Sequence, residues 1–327
     1  MFLSAIYLLF GYSYYAVQLC QLLMILLGGY FLARSIMLLS PIRTMPVIGL
    51  LLYTFYLPFL YYSSLILTEV LFTTLMITFC FYMIKSIQEK QNKDIIKSGF
   101  FIGLATLCKP VTLLFPIFMI VIFYFINSKG FEIKMLFYIA FVCYVTILPW
   151  SIRNFIVTGK IVPITSGAGI EFWMTTDKDM SLGNPWSRVP KHIKDQNLPE
   201  LEMDSALIDE GIKNILNNPS IYIRNMYYNF VRLWTNIRIG NPNSTTKSTL
   251  IFLSLNLSLL SLMLFGVYKN NYFEDGHIFI LSVIIYFSLL YSVFGAAGRF
   301  SIPIIPYLMI FSSYGIQRIF SNFNLIE

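Results

Sequence analysis

The stretch 103-GLATLCKPVTLLFP-116 is an apolar run broken by one charge, Lys109, set against Pro110. A lysine at the centre of a spanning helix costs roughly 3 kcal/mol on insertion scales. Two short helices or one broken helix would both satisfy the stretch locally. Whether the chain turns back at Lys109 or runs on through it fixes the side of every later segment.

Composition defines the class. The 327 residues are 57% hydrophobic and only 12% charged, with a mean hydropathy of +0.70. So little charge on a chain of this length excludes an ordinary soluble domain and marks an integral membrane protein. The net charge of +7 is not gathered into one polar face, so nucleic acid is not an expected partner. It reads as the excess of Lys and Arg that orients a membrane protein. Cys20, Cys80, Cys108 and Cys143 all lie in apolar runs and read as core- or lipid-facing thiols. His192 and His277 have no partners at zinc spacing. The opening MFLSAIYLLF has no preceding basic residue and no small-residue cleavage site after it, so it does not read as a signal peptide. It is also too short to span a bilayer, and the chain reads as starting part-way through an element.

Apolar runs of spanning or near-spanning length fall at about 14–39, 45–65, 67–84, 98–109, 110–127, 135–151, 248–268, 277–297 and 300–317. The expected fold is therefore all-α, a polytopic bundle of about nine transmembrane helices. With one span per run and alternating sides, one side collects Arg34, Arg43, Lys85, Lys90, Lys93, Lys97, Lys129, Lys134, Lys269 and Arg318. By the positive-inside rule this side is cytoplasmic. Making 98–127 a single span would move Lys129 and Lys134 outside and weaken the pattern. Lys109-Pro110 is therefore expected to be a tight turn at the outer face.

This divides the chain into an N-terminal membrane part of six spans (1–151), an outer segment (152–247) and a C-terminal part of three spans (248–327). In the outer segment, 199-PELEMDSALIDEGIKNILNN-218 carries acids early and a lysine late, with Pro219 after it, as a capped helix should. The following 221-IYIRNMYYNFVRLW-234 puts Met226, Tyr227, Phe230, Val231 and Trp234 on one face, with Arg224 and Asn225 away from it. It reads as an amphipathic helix lying at the membrane surface.

Few charges remain inside or at the ends of spans: Glu69, Lys109, Arg153 and Arg299. Alternating topology places all four at the outer ends of their helices, although none was used to set the sides. Ionisable residues at membrane depth usually face a bundle interior or wet cavity and mark a functional site. The alternative is that the three cations snorkel to the headgroups and that Glu69 caps its helix. Three cations and a carboxylate at one level suit a lipid-linked phosphate, the cations holding it and stabilising charge as it leaves. The carboxylate would orient an acceptor hydroxyl or hold a divalent metal.

Four stretches in register, 62-YSSLILTEVLFTTLMITFCFYMIKS-86, 103-GLATLCKPVTLLFP-116, 149-PWSIRNFIVTGKIVPITSGAGIEFW-173 and 298-GRFSIPIIPYLMIFSSYGI-316, resemble the bacterial polytopic glycosyltransferases of the GT-C superfamily. Within it, the resemblance is to the branch of protein O-mannosyltransferases and the lipid A aminoarabinose transferase. It implies an enzyme of the bacterial cytoplasmic membrane that transfers a sugar from a polyprenyl-phosphate carrier. The acceptor would be a lipid, glycan or protein at the outer face. By position, Glu69 matches the acid of the second outer loop and Lys109 the basic residue that approaches the carrier phosphate. Arg153 follows the Pro-Trp motif, and Arg299 opens the last one.

In the family a first span and a long outer loop precede the segment that MFLSAIYLLFGYS resembles, and that loop carries the acid taken as catalytic base. The resemblance therefore implies a truncated chain, with Glu69 as the one acid before residue 89. General-base assistance is worth typically 10²–10⁴-fold, so the expectation is donor binding with little or no transfer. The outer segment also holds acids, notably Glu171, Asp177 and Asp179, one of which could fold back over the site, though nothing in their spacing demands it. The competing readings are a non-catalytic or flippase-like polyprenyl-phosphate-sugar binder and a structural membrane subunit.

Overall fold

The computed structural model describes residues 2–126, 131–179, 185–196, 198–239, 246–268 and 274–322. Lys129 and Lys269, counted above among the loop charges, lie outside the described residues. Every regular element among the described residues is helical. They are α1 (Phe2–Phe10), α2 (Tyr14–Leu39), α3 (Met45–Phe55), α4 (Leu57–Ser63), α5 (Glu69–Glu89), α6 (Asn92–Cys108), α7 (Phe115–Ile126) and α8 (Ile133–Thr158). Then come α9 (Ala168–Thr176), α10 (Pro185–Arg188), α11 (Lys191–Lys194), α12 (Glu200–Asn217), α13 (Pro219–Thr235), α14 (Lys247–Tyr268), α15 (Asp275–Phe294) and α16 (Ile305–Asn322). Short 3₁₀ turns cover Pro110–Thr112 and Gly298–Ser301.

Five helices, α2, α5, α8, α14 and α15, are long and apolar enough to cross a membrane. The pair α3–α4, bent by 55° at Tyr56, makes a sixth if taken as one span. The all-α polytopic membrane bundle expected from composition is the fold observed. The runs at 98–109, 110–127 and 300–317 are helical but fall short of a full span. α6 has 17 residues and opens on Asn92, Lys93 and Asp94, α7 has 12, and α16 ends on Gln317, Arg318 and Asn322.

The chain divides into two compact units: Met1–Trp150 with Leu257–Ile284 and Ile302–Glu327, and Ser151–Asn256 with Ile285–Ser301. In the first, α5 is buried almost all round and packs on α2 and α6, as expected for a helix apolar on every face. Two of its interior hydroxyls turn back on the helix itself, Thr78 donating to the Thr74 carbonyl (2.8 Å) and Ser86 to that of Met83 (2.8 Å), while Thr74 donates to the Met24 carbonyl of α2 (3.0 Å). Such bonds satisfy polar groups where no water reaches them.

α6 packs on α8 through Gly99 and Gly103. A β-carbon at Gly99 would lie 2.6 Å from Val142 Cβ, and one at Gly103 would lie 2.7 Å from Thr146 Cβ. This is the small-xxx-small contact that lets membrane helices approach closely. The pairing advances from 99 with 142 to 103 with 146, so the two helices run parallel. α6 stops where Pro110 bars helical backbone at Lys109, which is extended (φ −139°, ψ 118°). Thr106 and Thr112 join hydroxyls across the turn at 2.9 Å. Ile102 of α6 and Met119 of α7 line one small cavity, so the chain doubles back at Lys109.

In the second unit, Ile170, Trp173, Val189, Ile193 and Leu207 form a core of their own. Asp204 of α12 accepts from the Gly167 and Gly169 amides (3.1 and 2.7 Å) and so caps α9 from another helix.

Candidate functional site

Glu69 is the first residue of α5, where the helix dipole favours an anion, and Lys109 is the residue that ends α6. The two helices pack side by side, which brings the charges together: Lys109 Nζ lies 3.1 Å from Glu69 Oε1. The side chains are 4% (Glu69) and 15% (Lys109) exposed. Lys109 Nζ also lies 5.6 Å from the centre of the Phe72 ring, one turn along α5. Glu69 thus opens its helix, as the alternative reading of a cap has it, and is paired with Lys109 as well. Thr68, at the N-cap, makes no side-chain capping bond.

Arg153 and Arg299 belong to the second unit. Arg153 is exposed on the last turns of α8 and donates to Asn154 Oδ1 at 3.1 Å. Asn154 itself is buried and ties α8 to the following strand-like segment through the Val162 and Ile164 carbonyls, both at 3.0 Å. Arg299 lies in the Gly298–Ser301 turn. That turn is wedged against the end of α13, where a β-carbon on Gly298 would collide with the Asn236 side chain. Phe300 stacks on Tyr291 with centroids 5.0 Å apart, and the Arg299 guanidinium carbon lies 5.5 Å from the centre of the Phe300 ring.

Arg299 shares a field with Glu171 of α9 and Arg232 of α13. Glu171 is exposed, yet enough protein surrounds its carboxyl that burial raises its pKa, while Arg232 and Arg299 pull it down. Gly295, at φ +116°, leaves room beside this carboxylate: a β-carbon there would stand 3.3 Å from Glu171 Oε2. Burial and the neighbouring Arg238 push Arg232 down to about 10, still charged at neutral pH. Its Nε is buried without a hydrogen-bond partner among the described residues. Glu171, Arg232 and Arg299 thus act on one another, with Arg238 acting on Arg232.

The sequence reading named Glu171 and Arg299 but missed Arg232 and Arg238. A basic residue in a helix's last turn ordinarily reads as compensation of the dipole, which hid Arg232. The stripe assigned to α13 is exposed at Tyr227 and Phe230, while Trp234, assigned to it as well, is buried. Asn225, read as pointing away, is fully buried with Asn229, whereas Tyr227 is 61% and Phe230 46% exposed. The asparagines face inward because carbonyls there need donors. Asn225 Nδ2 donates to the Thr175 and Asp177 carbonyls (2.9 and 2.7 Å), and Asn229 Nδ2 to that of Ser292 (3.1 Å). The exposed Ile223, Tyr227 and Phe230 form the apolar stripe an interfacial helix offers to lipid. No group of three or more His, Cys, Asp or Glu side chains placed to hold a metal occurs among the described residues.

Long apolar helices closed by ion-paired and cationic termini define a polytopic integral membrane protein with polar sites at its helix ends. Residues 1–152 match the model of the dolichyl-phosphate-mannose-protein mannosyltransferase family. The match covers a little under half of the chain, includes Glu69 and Lys109, and supports a GT-C-like membrane glycosyltransferase. No curated protein and no solved structure matches the chain.

Proposed function

We propose that the protein transfers a sugar from a polyprenyl-phosphate donor to a lipid, glycan or protein acceptor at the outer face of the membrane. The observation that carries this reading is the family match over residues 1–152, within which Glu69 and Lys109 form a buried pair at the ends of two helices. Lys109 is the primary contact to the donor phosphate. Glu69 holds the ammonium in place and is the acid available to the acceptor hydroxyl, or to a divalent metal if one is required. In the second unit, taken by itself, Arg299 with Arg232 beside it, and Arg153, are further cations suited to a phosphate.

A non-catalytic binder of the same donor is the second reading. The engagement of Glu69 with Lys109 favours it, because a carboxylate occupied by an ammonium is a poor proton acceptor. Purified full chain incubated with radiolabelled polyprenyl-phosphate sugars separates the two. Transfer that Glu69→Gln abolishes, with donor binding retained, establishes the enzyme. Donor binding without transfer establishes the binder. Lys109→Ala and Arg299→Ala should each weaken donor binding, and unchanged binding in both would overturn the site.

A further inference from the structure

A groove of about 440 Å³ opens at the ends of α6 and α8 opposite to Lys109. It lies within the first unit and has two chemically distinct zones. Ile95, Ile96, Met135 and Val142 form its apolar wall, while Lys90 and Lys134 supply positive charge. The cause lies in the helix packing. Gly99 and Gly103 draw α6 and α8 together further along, and the two parallel helices leave a wedge at their N-terminal ends. Both N-termini therefore face the mouth, and the residue that opens α6, Gln91, makes no side-chain capping bond. The first-turn amides and the positive ends of two dipoles add to the lysines.

The acids nearby do not cancel this field. Asp94, in the first turn of α6, is buried and lies 3.5 Å from Lys85. Glu132 lies 2.7 Å from Lys90 at the rim, and Lys90 and Lys134 together hold it below the usual carboxylate range. Lys134 remains as added charge on the far wall.

We propose that this groove binds an anionic phospholipid, its phosphate at Lys134 and Lys90 and its acyl chain against Ile96, Met135 and Val142. The grading from cations at the ends of the helices to apolar residues along them follows the grading of a lipid molecule. A soluble phosphate would have no use for the apolar wall. The loop charges put these helix ends at the cytoplasmic face, where anionic lipids are attracted by about 1 kcal/mol per basic residue.

The test is native mass spectrometry of the full chain after delipidation, with phosphatidylglycerol or phosphatidylcholine added back. Phosphatidylglycerol should be retained preferentially. Lys90→Gln and Lys134→Gln should each weaken retention about fivefold, and Glu132→Gln, which releases Lys90, should strengthen it. Lys213→Gln, an exposed lysine on α12, serves as the control and should change nothing. Equal retention of the two lipids would overturn the proposal. So would a loss in Lys213→Gln as large as in Lys134→Gln, or inorganic phosphate protecting the site as well as the lipid does. The readout is independent of sugar transfer, so it stands or falls separately from the proposed activity.

Discussion

Two carboxylates, Glu69 and Glu171, meet cations in opposite ways. Glu69 is nearly sealed and faces Lys109 across 3.1 Å. Glu171 is exposed as a residue, yet protein around its carboxyl opposes its ionisation, which Arg232 and Arg299 only partly restore. The same residue types therefore do different work. The first arrangement is matched charge for charge and gives a fixed, strongly placed ammonium. The second sets two guanidinium groups against one carboxylate that burial keeps from ionising readily. Breaking a buried pair leaves an uncompensated charge, whereas disturbing an exposed residue such as Glu171 costs little because water screens it.

The all-or-none test of the comparison concerns sidedness. Single cysteines in place of Lys93 and Lys178, treated with an impermeant reagent, should label at 178 in intact cells and at 93 only after the membrane is opened. The reverse pattern would place Glu69 and Lys109 on the cytoplasmic side and remove the donor site. The largest energetic effect should follow Lys109→Ala, which strands Glu69 and should destabilise the protein by about 3–5 kcal/mol. Thermal unfolding in detergent measures it. The double change Glu69→Gln with Lys109→Met should recover much of the loss, since replacing both charges of a buried pair is often nearly neutral. A single variant as stable as the parent would mean that the pair is not sealed as described.

The helices were legible because lipid-facing and core-facing residues are both apolar, so the runs stand out whatever they pack against. The reversal at Lys109 was legible too, because a proline after a charge in an apolar run leaves few conformations. Glu69 and Lys109 were each singled out, but nothing in the sequence says that residues 40 apart sit 3.1 Å from one another. That follows from the packing of α5 on α6. The buried asparagines were illegible for a further reason. Asn225 and Asn229 look like the solvent side of α13, and only the carbonyls of Thr175, Asp177 and Ser292 make them interior. The shortness of α6 as a span was visible in Lys93 and Asp94, which the run at 98–109 already left out.

A middle-sized effect should come from the scaffold around Glu171 rather than from its charges. Asn225→Ala removes the donor shared by the Thr175 and Asp177 carbonyls at the end of α9, the helix that carries Glu171. A buried hydrogen-bonding group left unpaired costs about 1–3 kcal/mol, and a lowered unfolding midpoint should show it. If Asn225→Ala unfolds at the parent's midpoint, α9 does not depend on α13 for its position.

The smallest effect, and the one that separates the two carboxylates most directly, is the pH dependence at Glu171. Its pKa in the folded protein lies above the ordinary value of 4.5, with burial as the largest cause. A carboxyl whose folded pKa is raised binds its proton more tightly in the folded state. Its contribution to stability is full below the ordinary value and is lost as pH rises through the folded one. Between pH 4 and pH 7 the parent should therefore lose stability from this residue, while Glu171→Gln, which cannot ionise, should show a shallower decline. The difference should be small because the side chain is exposed. Unfolding midpoints of the two proteins at several pH values in that window measure it. Parallel curves would mean that Arg232 and Arg299 offset burial completely, and a steeper decline in Glu171→Gln would mean that they outweigh it. In the latter case Glu171 would resemble Glu69, a carboxylate held by its cations, and the contrast between the two regions would disappear.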